Sequence, residues 1–460
     1  MDRSSKKPEI LVTVTRRQRQ PMHQQILQAL REAIRVRRLR PGAAVPSTRT
    51  LAADLGVSRG VVVQAYDQLI SEGYLIVAPR GGTTVSGAIS APVPEPAEPE
   101  PQHFAFDFRP GEPDLRAFPR EAWRRALRAA LASIEPGQLG YNEPRGVLPL
   151  RSAMAGYLSR ARGVVCTPNQ VVVCTGCAQG LSVAARVLRS RGVRRVALES
   201  PGHPEIQHII EEAGLATVAV PVDDDGLRVD RLERLRVRAV VVSPAHQNPM
   251  GAVLSPARRQ QLLAWASRVS GFVIEDDYDA EYRYDRAAVG SLQGLAPERV
   301  IYVGSASKIL APALRLGWLV LGGELLERAI EVKRRVDNGC PALEQLAYAR
   351  FLRNGELDRH LRRMRSQYRS RRDALLKALS RHCPGWRVRG AAAGLHCVAE
   401  VPDLVDIRRL VEQCAARSVR LYPLSDYMGR PPMPRGLVFG YARLSEREIA
   451  EGVRRIGLLV

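Results

Sequence analysis

Lys308 stands in GSASKIL (304–310), behind Ser305 and Ser307 and just past the apolar run Val300-Ile301-Tyr302-Val303. A primary amine at a strand end can form an imine with an aldehyde cofactor. The aldehyde most often held this way is pyridoxal 5′-phosphate (PLP). Such a site also needs a cup for the phosphate, a carboxylate facing the pyridine nitrogen and a partner for the ring hydroxyl. Each has a candidate near a predicted strand end. In FVIEDDYDAEYRY (272–284), Asp276 suits the ring nitrogen and Tyr278 the ring oxygen. The plain alternative is a run of solvated acids, but acids directly after Phe-Val-Ile are less often idle. CTGCAQGL (174–181) reads as a glycine turn from a strand into a helix, which offers free backbone N–H groups to an anion. Ser305, Ser307 and Arg315 can add donors, arginine being well suited to phosphate. In HQNPMG (246–251), Asn248 is placed where its amide could meet the ring hydroxyl.

These residues need a scaffold that brings strand ends together. Short apolar runs recur at 170–176, 195–200, 216–222, 239–245, 271–277 and 300–305, with helical patterns between most of them. Runs this apolar suit strands buried on both faces. The alternation predicts a mainly parallel α/β sheet with a ligand at its strand ends.

The first ninety residues are built differently. Residues 1–19 are polar and basic and read as a mobile arm; 20–86 form a compact block; 87–103 are rich in Pro, Glu and Ala and read as an extended spacer. Within the block, Ile26, Ala29, Leu30, Ala33 and Ile34 share one helix face. PSTRTLAADLGVS starts a second helix at Ser47/Thr48 that ends near Gly56. SRGVVVQAYDQLISEGY is a third, burying Val62, Ala65, Tyr66 and Leu69. The second and third helices, joined by a tight glycine turn, make a helix-turn-helix. YLIVAPRGGTTVS then reads as a hairpin, or wing. In that geometry the start of the third helix (Ser58, Arg59, Gly60) enters the major groove, and Arg49 and Arg80 meet phosphates or the minor groove. A helical protein-interaction module is the alternative. The formal charge of +22 argues for an anionic partner, DNA first. The basic run Arg359, Arg362, Arg363, Arg365, Arg369, Arg371, Arg372 and Lys377 reads as a solvated helix face, with a second DNA-backbone contact as the alternative.

LRPGAAVPSTRTLAADLGVSRGVVVQAYDQLISEGYL…GGTTV resembles the winged-helix domain of GntR-type transcription regulators. The resemblance implies Arg49, Ser58, Arg59 and the wing's Gly82 as contacts to a double-stranded operator; Gly60 departs from the hydroxyl or larger residue often found there. The later motifs, with FDFRPGEPDLRAFP (106–119) and GYNEPRGVLPLR (140–151), resemble fold type I PLP-dependent aminotransferases. The whole order resembles the MocR/GabR group, in which the two are fused. The resemblance implies a winged helix-turn-helix plus an aminotransferase-like domain over 104–460, with a smaller α+β subdomain from roughly 370. It implies Lys308 as the imine lysine and a phosphate site from Gly176, Cys177, Ala178, Ser305, Ser307 and Arg315. It also implies Tyr141 reaching the partner's site in a homodimer, domain-swapped in one arrangement. His203, in ESPGHPE, stands where relatives stack an aromatic ring on the cofactor. Glu205 stands where GABA-responsive members hold the effector carboxylate with arginine. Arg443, in GYARL, resembles the carboxylate-binding arginine of aminotransferases.

Seven scattered cysteines make a disulfide framework unlikely by count, and Cys174 and Cys177 lack the second pair or histidine of a metal site. With no membrane-spanning run and no leader-like N-terminus, the expectation is a bacterial cytoplasmic protein, at the nucleoid when on DNA. The leading reading is a DNA-binding regulator that senses PLP, an amine or an amino acid. An aminotransferase with a regulatory DNA-binding domain is the second reading, and a scaffold with a dead fold the third.

Overall fold

The computed structural model describes residues 14–15, 20–78, 81–87, 103–284, 289–427 and 435–460. The chain divides into two compact units, residues 1–101 and 102–460. Most of the expected arm, nearly all of the expected spacer, and Arg80 lie outside the described residues.

In the first unit, helices run over Met22–Arg35, Thr48–Asp54 and Arg59–Ser71. Ser47 caps the second helix, accepting a hydrogen bond from the Thr50 amide. Strands Ala44–Val45, Thr83–Val85 and Leu75–Val77 form a three-stranded antiparallel sheet in that order. Gly56, at φ +62°, turns the chain between the second and third helices, a conformation glycine adopts without strain. The core joins Ile26, Leu30 and Ile34 to Val62, Ala65, Tyr66 and Leu69. The Tyr66 hydroxyl satisfies itself on the Pro46 carbonyl at 2.9 Å, and Arg31 makes a two-pronged pair with Glu72 at 2.6 and 2.8 Å.

The second unit is organised by an eight-stranded sheet: Val171–Cys174 (β1), Arg195–Ser200 (β2), Ala216–Asp223 (β3), Gly226–Leu227 (β4), Ala239–Val242 (β5), Phe272–Asp277 (β6), Val300–Ser305 (β7) and Gly317–Val320 (β8). Its order is β1-β8-β7-β6-β5-β2-β3-β4. The run β7-β6-β5-β2-β3 is parallel, and β8 lies antiparallel between β1 and β7. All six runs expected as strands are strands. The sequence pattern did not mark β8, four residues that follow the lysine segment without an intervening α-helix. Nor did it mark β4, a two-residue edge strand.

A second, antiparallel sheet of Arg387–Arg389, His396–Glu400, Gly436–Gly440 and Tyr422–Pro423 forms the C-terminal layer. The start of this unit returns to that layer, Phe106–Asp107 pairing in parallel with Val419–Arg420. The basic run lies on the long helix Glu356–His382. Its arginines serve mainly as straps. Arg359, Arg363, Arg365 and Arg372 donate to the carbonyls of Asn354, Ala117, Glu281 and Ala391 at 2.7 to 3.1 Å. Arg369 holds the Tyr284 carbonyl, and Arg371 holds the Ala442 carbonyl and Asp114. Six of the eight basic residues thus hold intrachain carbonyls, while Arg362 and Lys377 are exposed.

Candidate functional site

In parallel α/β sheets the carboxyl ends of strands converge on a crevice, because crossover helices carry the chain away from that edge. Here the segments leaving β1, β2, β5, β6 and β7 line a cavity of about 280 Å³. Its wall includes Cys177, Ala178, His203, Asn248, Asp276, Tyr278, Ser305, Ser307, Lys308 and Arg315, so one place gathers most of the residues singled out in the sequence.

Lys308 follows β7 and is largely enclosed. Burial lowers its amine's pKa, against the nearby charges of Asp279 and Asp276. Asp276, near the end of β6, is paired in register with Val303 of β7. Its carboxyl is buried, and burial raises it to about 6, with Asp277 and Asp279 adding to the rise. The Cys177 thiol donates to it at 3.3 Å. Tyr278 is buried and its hydroxyl donates to the His246 carbonyl at 2.8 Å, within 3.0 Å of His246 Nδ1. Asn248 Oδ1 is buried and has no hydrogen-bond partner.

At the end of β1 a helix start leaves backbone donors free. Gly176 adopts φ +96° and opens the helix Cys177–Ser190, whose first N–H groups have no intrahelical acceptor. A side chain at 176 would meet the Arg315 guanidinium at 3.1 Å, so glycine lets that guanidinium approach. Arg315 donates to the Thr175 carbonyl at 2.6 Å and itself holds φ +49°, a left-handed conformation that costs a non-glycine residue energy and is found mostly where a site requires it. The strand-to-helix turn thus supplies Gly176, Cys177 and Ala178, with Ser305, Ser307 and Arg315 closing on it from β7 and the loop before β8.

His203 caps the helix Pro204–Glu212, its Nδ1 accepting from the Glu205 amide at 3.3 Å. Burial and Lys308 lower its pKa. Three of the expected residues do not line the cavity: Gly176, set back in the turn before Cys177, Tyr141 and Arg443. Tyr141 is 93% exposed. Arg443 pairs with Asp107 at 3.1 Å and Glu112 at 3.2 Å.

In the first unit, Arg49, Ser58, Arg59, Gly60 and Gly82 are all exposed. Ser58 is the N-cap residue of the third helix and makes no side-chain cap bond, which leaves its hydroxyl for other partners.

A family model described as bacterial regulatory proteins, gntR family, matches residues 22–85, and one described as aminotransferase class I and II matches residues 107–456. The probable rhizopine catabolism regulatory protein MocR of Rhizobium meliloti is 32% identical, covering 95% of this chain and 93% of that one. The chain belongs to the MocR type of GntR-family transcription regulators. It is also 33% identical to the pyridoxine biosynthesis transcriptional regulator PdxR of Corynebacterium glutamicum, covering 92% of each chain. It is 33% identical to the uncharacterized HTH-type regulator YdeL of Bacillus subtilis, covering 95% and 96%. An archaeal alanine:glyoxylate aminotransferase superposes with a TM-score of 0.71 at 26% identity, covering 78% of this chain and 91% of that one. The α-aminoadipate aminotransferase LysN of Thermus thermophilus, complexed with N-(5′-phosphopyridoxyl)-L-leucine, gives 0.69 at 29%, covering 77% and 91%.

This MocR-type regulator is therefore a DNA-binding transcription regulator, and among its described residues no helix is long and apolar enough to cross a membrane. All seven cysteines are free. Sequence reading overlooked the buried polar cluster behind Tyr278. His246 Nδ1 lies 3.1 Å from Asp279 Oδ2, its Nε2 lies 3.3 Å from the Gly390 carbonyl, and the His396 ring packs 4.9 Å away. Burial lowers the pKa of His246, but the Asp279 charge and hydrogen bond outweigh it and the net shift is upward. Burial holds His396 well below the ordinary range, with His246 adding to that effect. The signal was present: His246 stands two residues before Asn248, and Asp279 directly follows Tyr278. Glu199 was also missed. It is an enclosed carboxyl that accepts from the Ser243 amide at 3.1 Å and that burial raises to about 8.

Proposed function

We propose that this regulator holds PLP at Lys308 and uses the loaded domain to sense an amine, or PLP itself, so as to bias operator binding by the winged helix. One observation carries the reading: a single cavity joins an amine, a buried acid, a helix start with an adjacent arginine, and an amide with an unpartnered oxygen. Each part has a counterpart in the cofactor. Asp276 would meet the pyridine nitrogen, and Tyr278 and Asn248 the ring oxygen. Gly176, Cys177, Ala178, Ser305, Ser307 and Arg315 would meet the phosphate, and His203 would lie near the ring. PLP, when bound, supplies an electrophilic aldehyde carbon attached to an electron-withdrawing ring. The chain's residues orient that group and keep it from water. Burial raises the share of Lys308 that is neutral and able to bond to carbon.

The proposed division is a basic arm at 1–19, a winged helix at 20–86, a spacer at 87–103 and the PLP domain at 104–460. The proposed assembly is a homodimer. In support, Tyr141 is far more exposed than a residue serving its own chain's cavity. Ligand control requires different affinities for two arrangements of the dimer.

Absorbance of the purified chain with PLP tests the cofactor. A visible imine band is expected, and Lys308→Ala should abolish it; a variant that keeps the band ends the assignment. Arg59→Ala should weaken operator binding several-fold in a gel shift, while unchanged affinity would remove Arg59 from the interface. The second reading, a working aminotransferase, is favoured by the lowered Lys308 pKa, because a partly neutral amine can also move protons. Steady release of a keto product from an added amino acid would establish it.

A further inference from the structure

The cavity has more charge than the cofactor uses. Among its described lining residues the charged side chains are Lys308, Asp276, Arg315 and Glu205. The first three have partners on PLP. Glu205 has none there. It stands exposed at the cavity's edge, on the first turn of the helix Pro204–Glu212.

The arginine that resemblance offers to an effector carboxylate is already engaged. Arg443 Nη1 lies 3.1 Å from Asp107 and 3.2 Å from Glu112. Arg109 completes the group, 3.7 Å from Asp107 and 3.9 Å from Glu112. Two guanidinium groups and two carboxylates leave that cluster formally neutral. A ligand carboxylate reaching Arg443 would have to compete with Asp107 and Glu112 for it, which sets a cost against the gain. The loop is also close to the reacting amine: a side chain at Gly111, next to Glu112, would come within 3.4 Å of Lys308 Nζ.

Resting on the PLP reading above, we infer that the effector of this site is a short aliphatic diamine, one amine directed to the Lys308 end of the cavity and the second, still protonated, paired with Glu205. Amino acids are disfavoured because no uncompensated guanidinium remains for their carboxylate among the described wall residues. The specificity therefore lies in two acids. Glu205 attracts the distal cation, and Glu112 occupies Arg443.

The test uses the PLP-loaded full-length chain and three probes of one chain length: diaminobutane, butylamine and γ-aminobutyrate. Visible absorbance and calorimetric affinity are both read. Diaminobutane should bind tightest and γ-aminobutyrate weakest. Glu205→Gln should weaken diaminobutane by about three- to five-fold, the scale of one solvent-facing ion pair, and leave butylamine unchanged. Glu205 is exposed, so this variant should fold. Glu205→Arg should move the preference toward γ-aminobutyrate. With the visible band present, the inference is overturned if γ-aminobutyrate binds as well as diaminobutane, if none of the three binds, or if Glu205→Gln leaves the diamine-to-monoamine ratio unchanged. Absence of the band before any amine is added removes the PLP reading and this inference together.

Discussion

Strand β6 presents acids to two faces that treat charge in opposite ways. Side chains alternate along a strand, so neighbours point apart. Asp277 faces Arg162 at 2.7 Å, and the Tyr302 hydroxyl donates to the same oxygen at 2.6 Å. On the same face Glu275 accepts from the backbone amides of Leu292 and Gln293 at 2.8 and 2.9 Å. Asp276 faces the cavity, where its hydrogen-bond donor is a thiol, and burial raises it to about 6. Both aspartates are buried. The countercharge of Asp277 is built into the chain; that of Asp276 is only partly offset by Lys308, leaving an acid suited to a cationic ring nitrogen. A buried carboxylate is a candidate for function when the fold leaves its charge incompletely answered.

The largest effect should come from breaking the answered pair. Arg162→Leu leaves Asp277 buried without its cation and should cost about 3–5 kcal/mol, read by urea denaturation of the second unit's transition. A loss under about 1 kcal/mol would mean that the Arg162 pair contributes no more than an exposed one.

Asp276→Asn should do the reverse. PLP affinity should fall by about ten- to hundred-fold, the worth of a charge-assisted hydrogen bond. Without PLP the variant should be no less stable, and above pH of about 6 more stable, because the native carboxyl is then ionised inside the protein. A PLP-free variant that unfolds as readily as Arg162→Leu would erase the distinction between the faces.

Glu199 extends the comparison to strand β2, which is separated from β6 by β5. Its carboxyl is raised by burial from 4.5 to about 8. The folded state therefore binds this proton more tightly than the unfolded chain does. That contribution to stability is fully present below about 4.5 and is lost as pH rises through about 8. Thermal midpoints of the PLP-free protein should decline over that window, and Glu199→Gln should flatten the decline. Parallel curves for the two proteins would show that Glu199 does not carry it.

The smallest effect concerns the helix straps. Arg365 donates to the Glu281 carbonyl at 2.8 Å, so Arg365→Gln should cost about 1–2 kcal/mol of stability. The salt dependence of operator binding should stay as it was. A slope shallower by about one would place Arg365 on a phosphate instead.

Much of the site was legible in the sequence because each part carried a local mark. Lys308 and Asn248 come after short apolar strands, Asp276 lies at the end of one, and Gly176 marks a strand-to-helix turn. The winged helix was legible for the same reason, its helix faces and Gly56 being set by near neighbours in the chain. The cluster of His246, Asp279 and His396 was not, because its members come from segments up to 150 residues apart and none stands out singly. Arg443 shows the limit most clearly: its motif names a candidate carboxylate binder, yet only the folded chain brings Asp107 and Glu112 to it.

By itself the sequence determined two kinds of domain, the strands that form the sheet's centre, and which chemical groups stand at strand ends, since periodicity and turn residues act over a few positions. Only the tertiary structure decided which charges are answered. It turned Asp277 toward Arg162 and Asp276 toward the cavity, tied six arginines of the basic helix to carbonyls, and paired Arg443 with two acids. Those outcomes depend on Coulomb and desolvation energies between residues far apart in sequence, and such energies are set by distance and burial in space.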